Sequence, residues 1–473
     1  MTATSPRSAA VPQADIDQLN MVLSVPAVMP GDPEYDEARK VFNAMIDRKP
    51  AMIVHCADVA DVIASVNFAR EHGMLLAVRG GGHNGPGFGT CDGGMVLDLS
   101  YMKGVRVDPE HRTARVAGGS TWHEVDHATH AFGMATPTGI ISTTGVGGLT
   151  LGGGVGYLSR RAGLAIDNLL EADVVLADGR FVTASEKENA DLLWALRGGG
   201  GNFGVVTSFV FRLHPVGMVY AGPMAWPIEK SEELLRWYRD FLPKQPDELN
   251  GWFGFVGIPA GPPFPEEWQG KNMAAIVWHY SGPIEKAEEV FAPIRKVAGG
   301  PAIDWVGQMP HPMLNGMFDA IYPKGDQWYW KADFFTELSD EAIAEHLKYG
   351  PNLPTGKSTM HLYPVDGAAG RLAKDATPWA FRHAKWAMVI AGVSPDPADN
   401  PKMIAWARDY WNALHPHSAG GAYVNMIMDA TEEGPNRVRE AYGPNYDRLA
   451  KIKAKYDPHN VFSVNQNIQP GSA

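Results

Sequence analysis

RGGGHN at residues 79–84 and GVGGLTLGGGVG at residues 145–156 decide how this chain is read. Glycine has no Cβ, so consecutive glycines let backbone pass where a side chain would collide, and they leave several amide N–H groups unobstructed. Such loops form concave nests for anionic groups such as a diphosphate, with no lysine required. Tight turns account for one cluster of this kind. A third, GGGGNFG at 198–204, lies in the same half of the chain, and three together predict a large ligand lying against backbone.

The flanking sequence mixes α and β. Residues 51–64, AMIVHCADVADVIA, open as an apolar strand, and Ala57-Asp58 caps a helical pattern running to about His72. MLLAVRGGGHN follows as a strand that runs into the first glycines. Short strands continue in GMVLDLS, VRVDPEHRTARVAGG and EADVVLADGRFVTAS, the last with the Asp178-Gly179 pair of a tight hairpin. After Pro215 the glycine clusters stop and tryptophans become frequent, among them Trp226, Trp252, Trp278, Trp328, Trp330 and Trp386. Alternation in WFGFVGI, AAIVWHY, YWKADFF and HAKWAMVIAGV predicts an antiparallel sheet, with helices such as 283–298 and 399–414 packed on it.

With 473 residues, the chain exceeds the roughly 250–300 at which one core stops growing, so two domains are expected. The net charge of −12 would repel phosphate backbones and anionic lipid surfaces, which argues against nucleic-acid or membrane partners. Cys56 and Cys91 are too few for a disulfide framework. The opening MTATSPRSAAVPQ lacks the apolar run of a secretory leader, and no window supplies about 18 apolar residues for a membrane span. The expected location is the cytoplasm.

Two short motifs compete for the chemistry. Gly199–Gly204 satisfies G-x-G-x-x-G, but that fingerprint follows a strand and opens a helix, whereas DLLWALRG before it reads as a helix and VVTSFVFRL after it as a strand. Residues 123–127, HEVDH, match H-E-x-x-H, which on a helix offers His123 and His127 as zinc ligands and Glu124 as base. A solvated polar helix face, capped by Ser120 or Thr121, explains the same residues without metal. No metal site is expected.

Longer blocks carry a family resemblance. VRGGGHN, PTGIISTTGVGGLTLGGGVGYLSRRAGLAIDN, LLWALRGGGGNFGVVT and the closing YGPNYDRLAKIKAKYDPHNVFSVNQNI occur in this order over about Val54 to Pro470. In this the chain resembles the berberine bridge enzyme-like branch of the vanillyl-alcohol oxidase flavoproteins. The resemblance implies an α+β fold: a two-part FAD-binding domain of the PCMH type, residues 1–216 with a returning segment 429–473, and an inserted substrate domain, 217–428, of antiparallel sheet covered by helices.

It further implies FAD bound through one covalent link, on His83. Arg79, Gly80, Gly81, Gly82 and Asn84 would surround that link. Thr143, Gly145, Gly147, Gly148, Gly152, Gly153, Gly154 and Gly156 would form the second cofactor loop, Asn202, Gly204, Val205 and Val206 the segment along the adenosine and diphosphate, and Asn465 and Asn467 the C-terminal return. Ile141 stands where many members carry a second, cysteine tether, so bicovalent attachment is excluded. Leu149 stands where many carry a histidine, and Met426 where the plant-type pattern has its tyrosine base. Tyr423, Asn425 and Lys331, the last expected on the sheet facing the flavin, remain as catalytic candidates, with Thr144 at the oxygen-gate position.

The implied reaction is hydride transfer from a small, ring-bearing substrate (alcohol, amine or sugar) to the flavin, with dioxygen as electron acceptor and hydrogen peroxide as product. The rivals are a zinc hydrolase built on HEVDH and a flavin-holding protein without catalysis.

Overall fold

The strand and helix read between Ala51 and His72 form as Met52–His55 and Val59–Glu71, and the Asp58 carboxylate caps the helix by accepting the amides of Ala60 and Asp61. The computed structural model describes residues 11–428 and 436–471; the opening residues 1–10 and the domain boundary at 429 lie outside them. Met52–His55 and Leu76–Arg79 flank Met95–Asp98 in a parallel sheet, and the helix supplies the crossover that parallel strands require. Leu76–Arg79 thereby delivers the first glycine loop at a sheet end.

A five-stranded antiparallel sheet follows, in the order Val105–Asp108, Thr113–Ala117, Val205–Arg212, Leu169–Val175, Phe181–Ser185. Gly179, at φ +82°, makes the hairpin between the last two strands. The third glycine cluster opens directly onto the central strand, Val205–Arg212.

Between Met218 and Ser394 the chain builds a sheet of eight strands. Ile303–Asp304, Met218–Pro227, Asn272–Tyr280, Leu249–Gly257, Thr359–Pro364, Trp386–Ser394 and Gln327–Phe335 lie side by side in that order, with Gly307–Pro310 also on Met218–Pro227. Helices Ser231–Phe241, Asp340–Tyr349 and Asn400–Leu414 cover one face. Strand alternation sends Trp328, Trp330, His361, Tyr363, Val389 and Ala391 to the other face, which walls a large cleft.

The long helix expected over 283–298 does not form. Ile284–Lys286 is a 3-10 turn, Ala287–Phe291 a short α-helix and Ile294–Gly299 a second 3-10 turn with non-helical backbone at Val297 and Ala298. Pro293 lacks the amide that would continue the helix, and periodicity alone does not register that loss.

The C-terminal return packs through Leu449, Ile452, Tyr456 and Ile468 against Leu192, Leu193 and Phe203, the region of the third glycine cluster. Buried Lys453 pins it, donating to the Asn202 carbonyl at 2.7 Å, the Phe462 carbonyl at 2.9 Å and the Asp457 carboxylate at 2.6 Å. Removing one partner of a buried pair strands the other charge, at about 3–5 kcal/mol. Lys453→Met is expected to lose about that much in urea unfolding, and Lys453→Met with Asp457→Leu to recover most of it. Equal stability of Lys453→Met and the parent would refute this role.

Candidate active site

Two backbone loops meet at the end of the parallel sheet. A Cβ on Gly81 would lie 2.3 Å from the Gly145 nitrogen, and one on Gly145 would lie 2.2 Å from the Gly81 nitrogen. Only glycine at both positions lets the loops touch, and the contact brings Thr143 and Thr144 to His83. The Thr143 hydroxyl is 3.1 Å from His83 Nε2 and the Thr144 hydroxyl 3.4 Å from Nδ1. Phe42 stacks on the imidazole at 3.9 Å between ring centroids. The surrounding walls desolvate the ring and push its pKa down to about 4, so it is neutral near pH 7.

Around this point opens a cavity of about 1200 Å³. That exceeds the roughly 300–1,000 Å³ of ordinary ligand sites and suits a large cofactor together with a small substrate. The fit to a dinucleotide is visible in the backbone. Among the described residues, the amides of Gly80, Gly81 and Gly82 find no partner in the protein, though they line the cavity. Unpaired amides of this kind are available to an anionic acceptor. Gly148 and Gly201 also line it, and a Cβ on either would meet nothing within 4 Å, so it would occupy ligand space.

Arg79, Asn84, Gly145, Gly147, Asn202, Gly204, Val206 and Asn465 line the same cavity. Arg79 pairs with buried Asp98 at 2.7 Å, and Asn84 accepts the Phe88 amide. The Asn202 amide group is spent on the fold: it donates to Gly199 and Gln466 and accepts from Ile468, which ties the third glycine loop to the C-terminal return.

Several residues read as cofactor contacts sit elsewhere. Gly152, Gly153, Gly154 and Gly156 do not line the cavity; a Cβ on them would strike Asn425, Trp379, Ala165 and the Thr138 carbonyl respectively, so close packing is what demands glycine. Val205 points into the core behind the parallel sheet, Asn467 is off the cavity wall, and Thr143 acts through His83. Lys331 is also corrected: it shares the helix-covered face with Tyr329, and its ammonium lies 5.4 Å from the Trp411 ring centroid. Strand parity gives the cavity to its neighbours Trp328 and Trp330.

Tyr423 and Asn425 do line the cavity. The Tyr423 hydroxyl accepts from the Gly154 amide and from Asn425 Nδ2, both at 2.9 Å. Both lone pairs are thus occupied and the hydroxyl can only donate outward. Burial raises its pKa. Thr144, expected from the resemblance at an oxygen gate, has its hydroxyl 3.4 Å from His83 Nδ1. Ile141, Leu149 and Met426 contribute apolar wall.

Facing these loops are Trp252, Trp328, Trp330, Tyr322, His361 and Tyr363. A Cβ on Gly85 would strike Trp330 at 2.3 Å, so the His83 loop rests directly on the sheet's aromatic face. The sequence reading missed His361 and Tyr363; the available signal was their spacing of two within a strand, which places both on one face.

HEVDH lies on Trp122–His130, away from the cleft. Thr121 and Glu124 form a capping box, and Glu124 also pairs with Lys103 at 2.7 Å. His123 and His127 are exposed, and among the described residues no three His, Cys, Asp or Glu side chains are grouped to hold a metal ion.

Comparison with known proteins agrees with this arrangement. Residues 50–185 match the FAD binding domain family and residues 422–469 the berberine and berberine like family. An FAD-linked oxidoreductase of Dictyostelium discoideum is 33% identical over 448 residues, covering 93% of each chain. The (R)-6-hydroxynicotine oxidase of Paenarthrobacter nicotinovorans is 30% identical, covering 94% of this chain and 96% of its own. The crystal structure of 6-hydroxy-D-nicotine oxidase from Arthrobacter nicotinovorans superposes with a TM-score of 0.83 at 26% identity, over 98% of this chain and 100% of that one.

The loop contact makes a paired prediction. Gly145→Ala forces the two loops apart and is expected to lose flavin and about 1–3 kcal/mol of stability, as overpacking does. Gly201→Ala, whose Cβ meets only the cleft, should lower flavin content while stability stays within about 0.5 kcal/mol. The flavin-to-protein absorbance ratio and thermal unfolding of each variant check this, and full flavin content in Gly145→Ala would refute it.

Proposed function

Because the chain belongs to the berberine and berberine like family of FAD-linked oxidoreductases, we propose that it carries its FAD covalently on His83 and oxidises a small ring-bearing substrate, with dioxygen as electron acceptor. The observation that supports this best is the state of His83: a neutral imidazole, stacked on Phe42 and held between two threonine hydroxyls where the glycine loops meet. A neutral imidazole keeps a lone pair, which a covalent bond from the ring requires. Thr143 and Thr144 can each donate or accept, so either ring nitrogen can be left as the nucleophile. The sequence replaces the second tether by Ile141, which leaves His83 alone to make the link.

The bound flavin supplies a hydride acceptor and, once reduced, an electron source for dioxygen with hydrogen peroxide as product. The protein supplies the rest. Gly80–Gly82 would offer amides to the diphosphate, beside Arg79, whose charge is balanced by Asp98. Trp252, Trp328, Trp330 and Tyr322 present flat apolar surface to a ring and exclude water from it. Tyr423, poised as a donor, orients an oxygen or nitrogen on the substrate. Holding a substrate between this aromatic wall and the flavin would turn hydride transfer into an effectively unimolecular step.

Acid precipitation tests the link: the yellow colour should stay with the pellet and map to one peptide containing His83. His83→Ala should release its flavin into the supernatant, and free flavin from the parent protein would sink the assignment.

With both acceptor positions of its neutral hydroxyl filled and burial raising its pKa, Tyr423 serves as a donor rather than as the proton acceptor. Tyr423→Phe should keep the cofactor and slow anaerobic flavin reduction by less than the roughly 10²–10⁴-fold that loss of a general base costs. A larger loss with flavin content intact would make Tyr423 the base.

A further inference from the structure

The cavity holds a second polar pair, which neither the motifs nor the cofactor reading assigns. Thr359–Pro364 alternates, sending Met360 and Leu362 into the core under the helices and His361 and Tyr363 to the cavity. The Tyr363 hydroxyl is hydrogen-bonded to His361 Nδ1. Trp252 packs against the imidazole at 4.2 Å between centroids. Opposite His361 in the register stands Gly254, where a Cβ would come within 3.0 Å of the imidazole Cδ2, so the neighbouring strand keeps room for this ring.

The charges around the pair narrow the ligand. Among the described residues, the cavity lining contains no Asp or Glu. Among the described residues, the charged ones on its wall are Arg79 and Lys357, both paired with carboxylates behind the wall, Asp98 and Asp326, at 2.7 Å. A cationic amine would find no counter-charge on the cavity wall. An oligosaccharide would bury many hydroxyls against tryptophan and aliphatic wall, where most would go unpaired. A neutral, apolar molecule with one hydroxyl suits what is present.

Resting on the flavin reading above, we propose that His361 and Tyr363 accept the hydroxyl proton of a neutral, ring-bearing apolar alcohol as its carbinol hydride leaves for the flavin. The carbinol C–H and O–H bonds break and a C=O bond forms. The hydride and its electron pair go to the flavin, the substrate proton goes to the Tyr363 oxygen, and the Tyr363 proton passes to His361 Nδ1. Burial holds the imidazole pKa down to about 3 and the Tyr363 pKa well above its usual 10, so both start neutral; the imidazolium so formed is acidic, and the proton is held only while the hydride departs before it passes on to solvent. Tyr157, Tyr322 and Tyr423 are the titratable neighbours of Tyr363, and burial raises all three pKa values, so no phenolate competes for the proton.

The test uses purified holoenzyme under anaerobic conditions with three probes: 2-naphthalenemethanol, the matched ammonium 2-naphthalenemethylamine at pH 7, and cellobiose. Tryptophan fluorescence reports binding and flavin absorbance reports reduction. The alcohol should bind and bleach the flavin, and the other two should do neither. In His361→Asn and Tyr363→Phe, flavin content and the Kd for the alcohol should hold while reduction slows by about 10²-fold or more. A purely structural role would instead shift Kd or flavin content. Bleaching by cellobiose or the ammonium probe, no binding of the alcohol, or full-speed reduction in both variants would overturn the proposal. Dithionite separates the two readings: a protein with no flavin to bleach defeats the cofactor assignment, whereas one bleached by dithionite but not by the alcohol defeats only this inference.

Discussion

The backbone of Gly81 lies against that of Gly145, with no room for a Cβ on either side, and the geometry of the site follows from that contact. It places two threonine hydroxyls on the two nitrogens of His83 and turns a row of unpaired amides toward one cavity. A larger residue at either position would separate the loops by more than the length of those hydrogen bonds allows. Backbone-to-backbone packing also explains why the cofactor wall needs so little side-chain chemistry: amides and a large apolar surface carry the binding, and the one charged residue beside the first loop, Arg79, is already neutralised by Asp98.

The second constraint is the contact of Gly85 with Trp330. The loop bearing His83 rests on the aromatic face of the eight-stranded sheet, so the cofactor loops and the substrate wall are one packed unit. Phe42 continues this layer, stacking on His83 and packing against Trp328 at 5.5 Å. Interiors of this density transmit displacement. A change on the sheet face is therefore also felt at His83.

Buried polar groups complete the assembly from behind. Lys453 and Asn202 between them join the third glycine loop to the C-terminal return. Arg382 forks onto Asp167 at 2.8 and 2.6 Å, joining the segment after the second loop to the chain leading into Trp386–Ser394. Lys453 has three acceptors for its ammonium, and each terminal nitrogen of Arg382 has two, so both buried charges are paired, the condition under which burial is tolerated.

Local signals made much of this legible in the sequence. Runs of glycine, apolar alternation and the Asp58 cap depend on near neighbours in the chain, so they marked the mixed α and β fold, the aromatic sheet and the His83 loop without any coordinates. HEVDH was open to two readings in sequence, and the capping box at Thr121 and Glu124 now accounts for the carboxylate. Tertiary structure decided what depends on which surfaces meet. Whether a glycine faces ligand or a packed neighbour separates Gly148 from Gly152, although both sit in one motif. Which sheet face the helices cover sends Lys331 away from the cavity and His361 and Tyr363 into it, because strand parity sorts side chains into two sets and only packing against other elements says which set is inside.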